Sequence, residues 1–262
     1  MQAINSVKGA YVQELLGKGI REDHRGAWEY RNLVIKPGVL PNAEGSAQVD
    51  LGNTKVLAAI KMGVGTPMPD KPEEGNLMTM AELLPLASAD YETGPPSPDS
   101  IELARVVDRG IRAANVVDLP SLFIEKDKVW SVFIDLYVLN YDGNLFDACQ
   151  IAAMTALNTA KMPKYEDGKV IRDANMPKLK INNMVTSCTF AKVGDRIILD
   201  ANSGEEAVMS GRLTIATDDK VLRAMQKGMR GAFSQDEIEH LIETTFEKSK
   251  ELRALIVNSK SD

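Results

Sequence analysis

Apolar residues follow two different periods along this chain, and each period predicts a different kind of element. They recur every three to four positions, the spacing of one helix face, in four stretches that begin near residues 5, 97, 144 and 234. They alternate with polar residues, or form short apolar runs typical of strands, in segments 46–63, 77–88, 129–144 and 184–219. The pattern therefore predicts a chain that mixes helices and strands.

The predicted helices have recognisable ends. The first runs from Asn5 to Leu16 and stops at a Gly-Lys-Gly sequence. The second, 97–114, has Ser97 as its cap and Pro98 in its first turn. Its predicted apolar face consists of Ile101, Ala104, Val107 and Ile111. The third, 144–160, is rich in alanine, and the fourth opens with a capping box of Ser234 and Glu237.

Two successive blocks of strands followed by a helix predict an α+β fold with an internal structural duplication. The first block spans residues 29–163 and follows an N-terminal helix and basic loop in residues 1–28. The charged segment 164–183 is expected to be a linker. The second block spans 184–262 and should contain three antiparallel strands within 184–219.

Composition narrows the class of protein. The 262 residues are 44% hydrophobic and 26% charged, which excludes a disordered or fibrous chain. No apolar run approaches the roughly 20 residues needed to cross a bilayer, and the first residues lack a signal-peptide core, so we expect a cytoplasmic protein. A net charge of −6 argues against a surface coated in positive charge for duplex binding, so any nucleic-acid contact should be a local patch. Cys149 and Cys188 lack metal-site or disulfide spacing and are expected to be buried.

Residues 205–219 raise a question of chemistry. Glu205 and Glu206 are adjacent carboxylates, and Arg212 follows where one more acid would complete a metal or acid–base cluster. Paired acids beside an arginine are also an ordinary surface pair of a hairpin. The segment alone leaves both interpretations open.

Three arginines of the second helix should share one face, because Arg105, Arg109 and Arg112 stand at positions i, i+4 and i+7. The helix rises about 6 Å between the first two, comparable with the phosphate repeat of an extended single strand. Alternatively, Glu102 pairs with Arg105 and Asp108 pairs with Arg112, which would make an ordinary solvated face. That alternative accounts least well for Arg109.

Four stretches of the chain together resemble the RNase PH superfamily of phosphorolytic exoribonucleases. They occur in the family's order, and they are 52–61, 85–114, 129–148 and 196–206. Within this superfamily the chain is most similar to the non-catalytic ring subunits of archaeal RNA exosomes. The resemblance implies an RNase PH-like fold made of two βαβ-rich blocks.

The same resemblance implies partners. Subunits of this type alternate with a catalytic RNase PH-like subunit in a hexameric ring of three heterodimers, and RNA-binding cap subunits sit on the ring. The subunit shapes the partner's active site and helps to bind and guide single-stranded RNA during 3'-to-5' degradation. In the family, arginines in the "ELARVVDR" segment face the central path, which implies RNA-binding roles for Arg105, Arg109 and Arg112.

This chain departs from the active members at two places. They carry an acid immediately before their equivalent of Leu213, where this chain has Arg212, and a guanidinium neither ligates a cation nor donates a proton to a leaving oxygen. They also carry a Gly-Gly-Ser/Thr-Arg run that holds phosphate, where this chain has Leu145 and Phe146 before Asp147. Asp147 is expected to complement the helix dipole.

We therefore expect no catalytic residue, no metal site and no cofactor in this chain. Two alternatives remain open: an active phosphate-dependent exoribonuclease in its own right, and a small-molecule enzyme on a related fold. The first would need an acid at position 212 and an arginine near position 146. The second would need a glycine-rich phosphate loop or a convergent acid–base pair.

Several other residues are weaker candidates. Arg21 and Arg25 match a basic family pattern near the start of the chain, or they simply pair with Glu22, Asp23 or Glu29. The histidines and tryptophans have no partner at a catalytic or ligand spacing and are expected to serve packing or the surface; they are His24, His240, Trp28 and Trp130.

Overall fold

A computed structural model of the chain describes residues 2–173 and 175–259 and has an α+β architecture. The helices are α1 (Gln2–Gly17), α2 (Pro98–Ala113), α3 (Leu145–Thr159), α4 (Ser203–Glu206) and α5 (Gln235–Asn258). The strands are β1 (Leu33–Pro37), β2 (Gly45–Leu51), β3 (Thr54–Gly65), β4 (Asn76–Leu83), β5 (Phe123–Glu125), β6 (Lys128–Asn140), β7 (Lys164–Glu166), β8 (Lys169–Ile171), β9 (Thr186–Val193), β10 (Arg196–Leu199), β11 (Gly211–Thr217) and β12 (Leu222–Met229).

The first block forms a mixed sheet in the order β1-β2-β3-β6-β4, with the short β5 paired to β6. Its pairs are antiparallel except for β4 and β6, which run parallel. Parallel neighbours need a long crossover, and here the connection contains α2. Helices α2 and α3 pack against the same sheet, α2 on β4 and α3 on β2 and β3.

Helix α3 lies between the sheets of the two blocks. Every residue from Leu145 to Leu157 is buried, because the first sheet covers one side of the helix and β9 of the second block covers another. Its alanines allow a close approach to β2: a side chain at Gly45 would lie 2.8 Å from Cα of Ala160 and would also meet the carbonyl oxygen of Ala156. The alanine-rich composition thus serves contact between helix and sheet on two sides.

The second block has four antiparallel strands in the order β10-β9-β11-β12: the three expected within 184–219 are confirmed, and a fourth strand follows that segment. The missed strand is β12, whose sequence mixes Arg223, Gln226 and Lys227 with small residues and has no clear alternation. It forms as an edge strand through its backbone pairing with β11. Helix α5 packs on β9 and β11, and its predicted Ser234, Glu237 capping box is confirmed.

Segment 164–183, expected as a linker, contains the hairpin of β7 and β8. Arg172 follows that hairpin, and its guanidinium donates to the carboxylate of Glu44 at 2.5 Å and to the carbonyl of Met62 at 2.8 Å. The segment is therefore fastened to the first sheet. The charged residues of this segment predicted a surface position, and they did not indicate that it contains two strands.

The apolar face of α2 also differs from the one predicted. The predicted cap at Ser97 is confirmed, and Ala104, Val107 and Ile111 are buried as expected. Ile101 is instead 47% exposed. At about 100° per residue it stands roughly 120° around the helix from Val107, outside the buried stripe. Leu103 occupies the buried position in that turn.

The aromatic and sulfur-containing side chains serve packing. Trp28 meets the rings of Phe190 and His240 edge-on, with centroids 6.0 and 5.3 Å apart. Trp130 meets Tyr165 in the same way at 6.5 Å. Both cysteines are free and buried, as expected. None of the helices in the described ranges is long and apolar enough to cross a membrane.

The close contact of Gly45 with α3 generates a stability prediction. Gly45→Ala should lower the free energy of unfolding by about 1–3 kcal/mol, because the added methyl group would have to displace helix backbone. The matched control is Gly17→Ala at the end of α1, where an added Cβ meets no atom within 4 Å. Urea unfolding of both variants measures the difference, and equal stability of the two would contradict the packing argument.

Candidate functional site

The loop before α3 forms one wall of the candidate site. Gly143 has a φ of 82°, and a Cβ there would lie 2.8 Å from Cα of Asn202, so the loop can press against the start of α4 only with glycine at this position. Asn144 follows with a φ of 51° and caps α3 by accepting from the backbone N–H of Asp147.

A carboxylate of the protein itself occupies the N-terminus of α3. The backbone N–H of Asn144 donates to Oε1 of Glu206 at 2.8 Å, and the hydroxyl of Tyr141 donates to Oε2 at 2.6 Å. Burial raises the pKa of Glu206. A helix N-terminus favours an anion through its free N–H groups and its dipole. Glu206 already supplies that anion here.

Arg212 closes the opposite wall. Its guanidinium lies over the ring of Phe146, 4.1 Å from the centroid, and donates to Oε1 of Glu102 at 2.5 Å. The side chain is 12% exposed. Room for it comes from Gly228 on β12, where a Cβ would lie 2.6 Å from a terminal nitrogen of the guanidinium. The arginine is thus a packed side chain with a fixed partner.

Between these walls lies a cleft of about 680 Å³. Tyr91 and Tyr141 line it with rings 5.7 Å apart, and Leu145 and Phe146 contribute apolar surface. Among its lining side chains that the structure describes, Arg212 is the single cation, and the acids are Asp90, Asp99, Glu102 and Glu206. A phosphate dianion entering this cleft would meet more negative than positive charge.

The chemistry available at this position is therefore limited. Glu206 already accepts two hydrogen bonds, and Arg212 cannot act as an acid near neutral pH. Within residues 2–173 and 175–259 no group of three or more His, Cys, Asp or Glu side chains is arranged to hold a metal ion. The arrangement binds the protein's own side chains to one another.

The N-terminal arginines position the segment that bears Glu206. Arg21 is buried, and it donates to both oxygens of Glu205 at 2.8 and 2.6 Å and to the carbonyls of Leu199 and Asp200. Arg25 pairs with Asp23 at 2.6 Å, one of the partners considered from the sequence. The partner of Arg21 is far away in the chain and was not among those considered.

Asp200 connects the buried polar groups of this region through hydrogen bonds. Its buried carboxylate accepts from Nε and a terminal nitrogen of Arg31 at 3.0 and 2.8 Å, and from the side-chain amide of Asn144 at 2.8 Å. Burial alone would raise its pKa, but the hydrogen bonds and charge of Arg31 bring the pKa of Asp200 below its usual value. Asp200 thereby ties the cap of α3 to the second block.

Asp147 has a second role besides the one expected. It does lie in the first turn of α3, but its carboxylate is fully buried and binds the second block. It accepts from the hydroxyl of Ser187 at 2.9 Å and from the backbone N–H and hydroxyl of Thr189 at 2.9 and 2.8 Å. Burial raises the pKa of Asp147 to about 6. It joins helix and sheet rather than only complementing a dipole.

The three arginines of α2 differ in their surroundings. Arg105 is exposed and makes no hydrogen bond or ion pair within the described part of the chain. Arg109 donates to the side-chain carbonyl of Gln226 on β12 at 2.6 Å. Arg112 pairs with Asp108 at 2.6 Å, as the solvated-face alternative proposed, and also donates to the carbonyl of Leu77.

The alternative pair of Glu102 with Arg105 does not form, since Glu102 binds Arg212 instead. Sequence reasoning missed this pair, because its members lie 110 positions apart. It also missed the capping box of Asn202 and Glu205 at the start of α4, although that spacing of an Asn and a Glu is a recognisable signal.

Sequence models of a known family match both blocks. Residues 29–163 match the 3' exoribonuclease family, domain 1, and residues 183–248 match domain 2 of the same family. Among curated proteins, the chain is 46% identical to the exosome complex component Rrp42 of Thermococcus gammatolerans over 95% of this chain and 93% of that protein. It is 40% identical to Rrp42 of Methanothermobacter thermautotrophicus over 96% and 95% of the two chains.

Solved structures agree with these matches. A chain of an Archaeoglobus fulgidus exosome with RNA bound to the active site superposes with a TM-score of 0.90 and 40% identity, covering 96% of this chain and 98% of that one. A chain of an archaeal exosome core superposes with a TM-score of 0.87 and 37% identity, covering 98% of both.

The hydrogen bonds of Asp200 generate a prediction about stability and its dependence on pH. Asp200→Asn should lower the free energy of unfolding at pH 7 by about 3–5 kcal/mol, because Arg31 would lose its buried counter-charge. A carboxyl whose folded pKa is depressed stabilises the protein above its unfolded pKa of about 3.9 and loses that effect as the pH falls through the folded pKa. The difference between wild type and variant should therefore narrow below about pH 4.

The control for this measurement is Asp195→Asn, an exposed aspartate in the turn between β9 and β10. Its stability should stay within about 0.5 kcal/mol of wild type at either pH. Urea unfolding at pH 7 and at acidic pH gives both differences. A constant gap across the pH range would show that the Asp200 carboxylate is not the stabilising group.

Proposed function

The chain belongs to the 3' exoribonuclease family of RNase PH-like proteins, and from that premise we propose that it is a non-catalytic ring subunit of an archaeal-type RNA exosome. The proposal rests on full-length similarity to proteins named exosome complex component Rrp42. The observation that supports the absence of catalysis is that two positions at the cleft are occupied by the chain's own side chains. Glu206 occupies the N-terminus of α3, and Arg212 lies packed between Phe146 and Glu102.

Phosphorolysis needs a bound phosphate and groups that stabilise the leaving oxygen. At the helix N-terminus that would receive phosphate, Glu206 already accepts from the backbone N–H of the N-cap Asn144, and the surrounding carboxylates repel a second anion. Leu145 and Phe146 are buried and offer no polar side-chain atom. Two separate requirements are therefore missing, which supports a subunit without chemistry of its own.

We assign an RNA-guiding role to Arg105, Arg109 and Arg112. These arginines lie on one face of α2, and Arg105 is exposed without a partner among the described residues, so its charge is available to a phosphate. Arg109 and Arg112 are braced by Gln226 and Asp108, which fixes their guanidinium groups along the helix. One of the solved relatives is described as holding RNA at its active site.

The assembly that we propose is a cytoplasmic hexameric ring of three heterodimers. In it the chain alternates with a catalytic RNase PH-like subunit and helps to shape that partner's active site. RNA-binding cap subunits complete the particle, and single-stranded RNA is degraded from its 3' end. The relatives named as exosome components and the superposition on exosome core chains support this assignment.

The alternative is an exoribonuclease active on its own. It would require a phosphate site elsewhere in the cleft, together with an acid to replace the one absent at position 212. Among the described residues that line the cleft, four are acids and one is an arginine, which argues against such a site.

The lack of chemistry is tested directly. The purified chain should not shorten single-stranded RNA in the presence of phosphate and a divalent cation. Arg212→Asp should not restore activity, because Glu206 still occupies the helix N-terminus and the new carboxylate adds negative charge to the cleft. Release of nucleoside diphosphates measures the reaction, and phosphorolysis by the unmodified chain would refute the proposal.

The RNA-guiding role is tested in the assembled ring. Arg105→Gln should leave the ring intact and weaken RNA binding, lowering the slope of log affinity against log salt by about 0.7 for each phosphate that the ring no longer neutralises. Arg109→Gln should have the same kind of effect, and both effects should be similar across RNA sequences because phosphates carry no base information.

The matched control is Arg196→Gln, an exposed arginine on β10, at the opposite edge of the second sheet from the strand that contacts α2. Its salt slope should equal that of wild type. An intact ring whose slope is unchanged by Arg105→Gln and Arg109→Gln would remove the RNA role from this helix face.

A further inference from the structure

The first sheet has two faces, and helices α2 and α3 pack on one of them. Helices α2 and α3 pack on the inner face, where Val56, Ile134 and Leu136 are fully or almost fully buried. Alternate residues of the same strands point to the opposite face, because successive side chains of a strand project in opposite directions. The outer face therefore consists of the side chains of β3, β4 and β6 that point away from α2 and α3.

In the middle of this outer face, apolar and aromatic side chains surround Asp135. Met78 and Met80 of β4 lie beside Phe133, Asp135 and Tyr137 of β6, as the parallel register of these strands requires. Met80 is 57% exposed, and the two aromatic residues are partly exposed. Contiguous apolar surface on a sheet face is typical of a protein contact.

Asp135 lies at the centre of this patch without a partner. It stands opposite Ala59 on one side and Met80 on the other. Its Oδ1 atom is buried and makes no hydrogen bond with any residue that the structure describes. The nearby Lys61 is engaged elsewhere, since it pairs with Glu44 at 3.0 Å.

A buried carboxylate oxygen without a hydrogen bond is unfavourable in the isolated chain. Burial and the charge of Glu82 raise the pKa of Asp135, which disfavours its ionised form. A basic side chain brought to this position from outside would offset the desolvation of the carboxylate while apolar surface is buried around it. Charged pairs enclosed by apolar contacts are a common anchor of protein interfaces.

We propose that this outer face, formed by Met78, Met80, Phe133, Asp135 and Tyr137, binds the catalytic RNase PH-like neighbour in the ring, which supplies an arginine or lysine to Asp135. The inference rests on the ring assembly proposed above and identifies one of its contact surfaces. The apolar surroundings favour a protein over RNA, because the carboxylates of Asp135 and Glu82 would repel a phosphate backbone.

Two variants test this surface in the complex with the catalytic relative from the same genome. Asp135→Asn keeps the size of the side chain and removes its charge, and Met80→Glu adds a charge at an exposed position of the patch. Each should raise the concentration at which the particle dissociates at least about tenfold, measured by mass photometry over a dilution series. Asp167→Asn, in the exposed turn between β7 and β8, is the matched control and should assemble like wild type.

Folding of the isolated chain separates a surface effect from damage to the fold. Asp135→Asn should unfold at the same or a higher temperature than wild type, because it removes an unpaired charge. If that variant does not fold, Met80→Glu decides the test, since its side chain is largely exposed. Hydroxyl-radical oxidation of Met80 should also be strong in the isolated chain and suppressed in the particle.

The outcomes distinguish this inference from the proposed function. If the wild-type chain does not assemble with the catalytic relative, the ring proposal itself fails. If wild type assembles and both variants dissociate at the wild-type concentration, the surface assignment alone is wrong. If Met80→Glu weakens assembly and Asp135→Asn does not, the basic partner side chain is refuted.

Discussion

The buried carboxylate of Asp200 is the constraint on which the geometry of the cleft depends. Asp200 belongs to the second block, whereas Arg31 and Asn144 belong to the first. A buried charge persists only with partners, so the loop before α3 and the segment that leads to α4 are fixed relative to one another. The close approach at Gly143 and the pair of Arg21 with Glu205 reinforce the same junction. The positions of Asn144 and Glu206 at the cleft depend on this junction.

Local signals in the sequence predicted much of the fold. The caps at Ser97 and Ser234 and the alanine-rich α3 are confirmed, because capping and helical periodicity involve residues within one or two turns. Strand β12 was missed because its burial depends on pairing with β11 rather than on its own alternation. The hairpin in segment 164–183 was missed because charged residues also suit a surface loop.

The candidate site, like the fold, could be predicted from the sequence only in part. The identities at Arg212, Leu145 and Phe146 could be read directly, and they pointed to an altered centre. Their partners could not be read, because Glu102 meets Arg212 and Glu206 meets Asn144 only after the two blocks have packed. Asp147 shows the limit most clearly: its place in the first turn suggested a dipole partner, and the fold uses it to bind β9.

The side chains that occupy the two positions at the cleft also have an evolutionary consequence. Replacing Arg212 alone would leave Glu102 without its counter-ion near Glu206, and removing Glu206 alone would leave the N–H of Asn144 and the hydroxyl of Tyr141 without an acceptor. A single step toward a phosphate site at either position would therefore also have to accommodate the groups that it leaves unpaired, so the two positions constrain how this cleft can change.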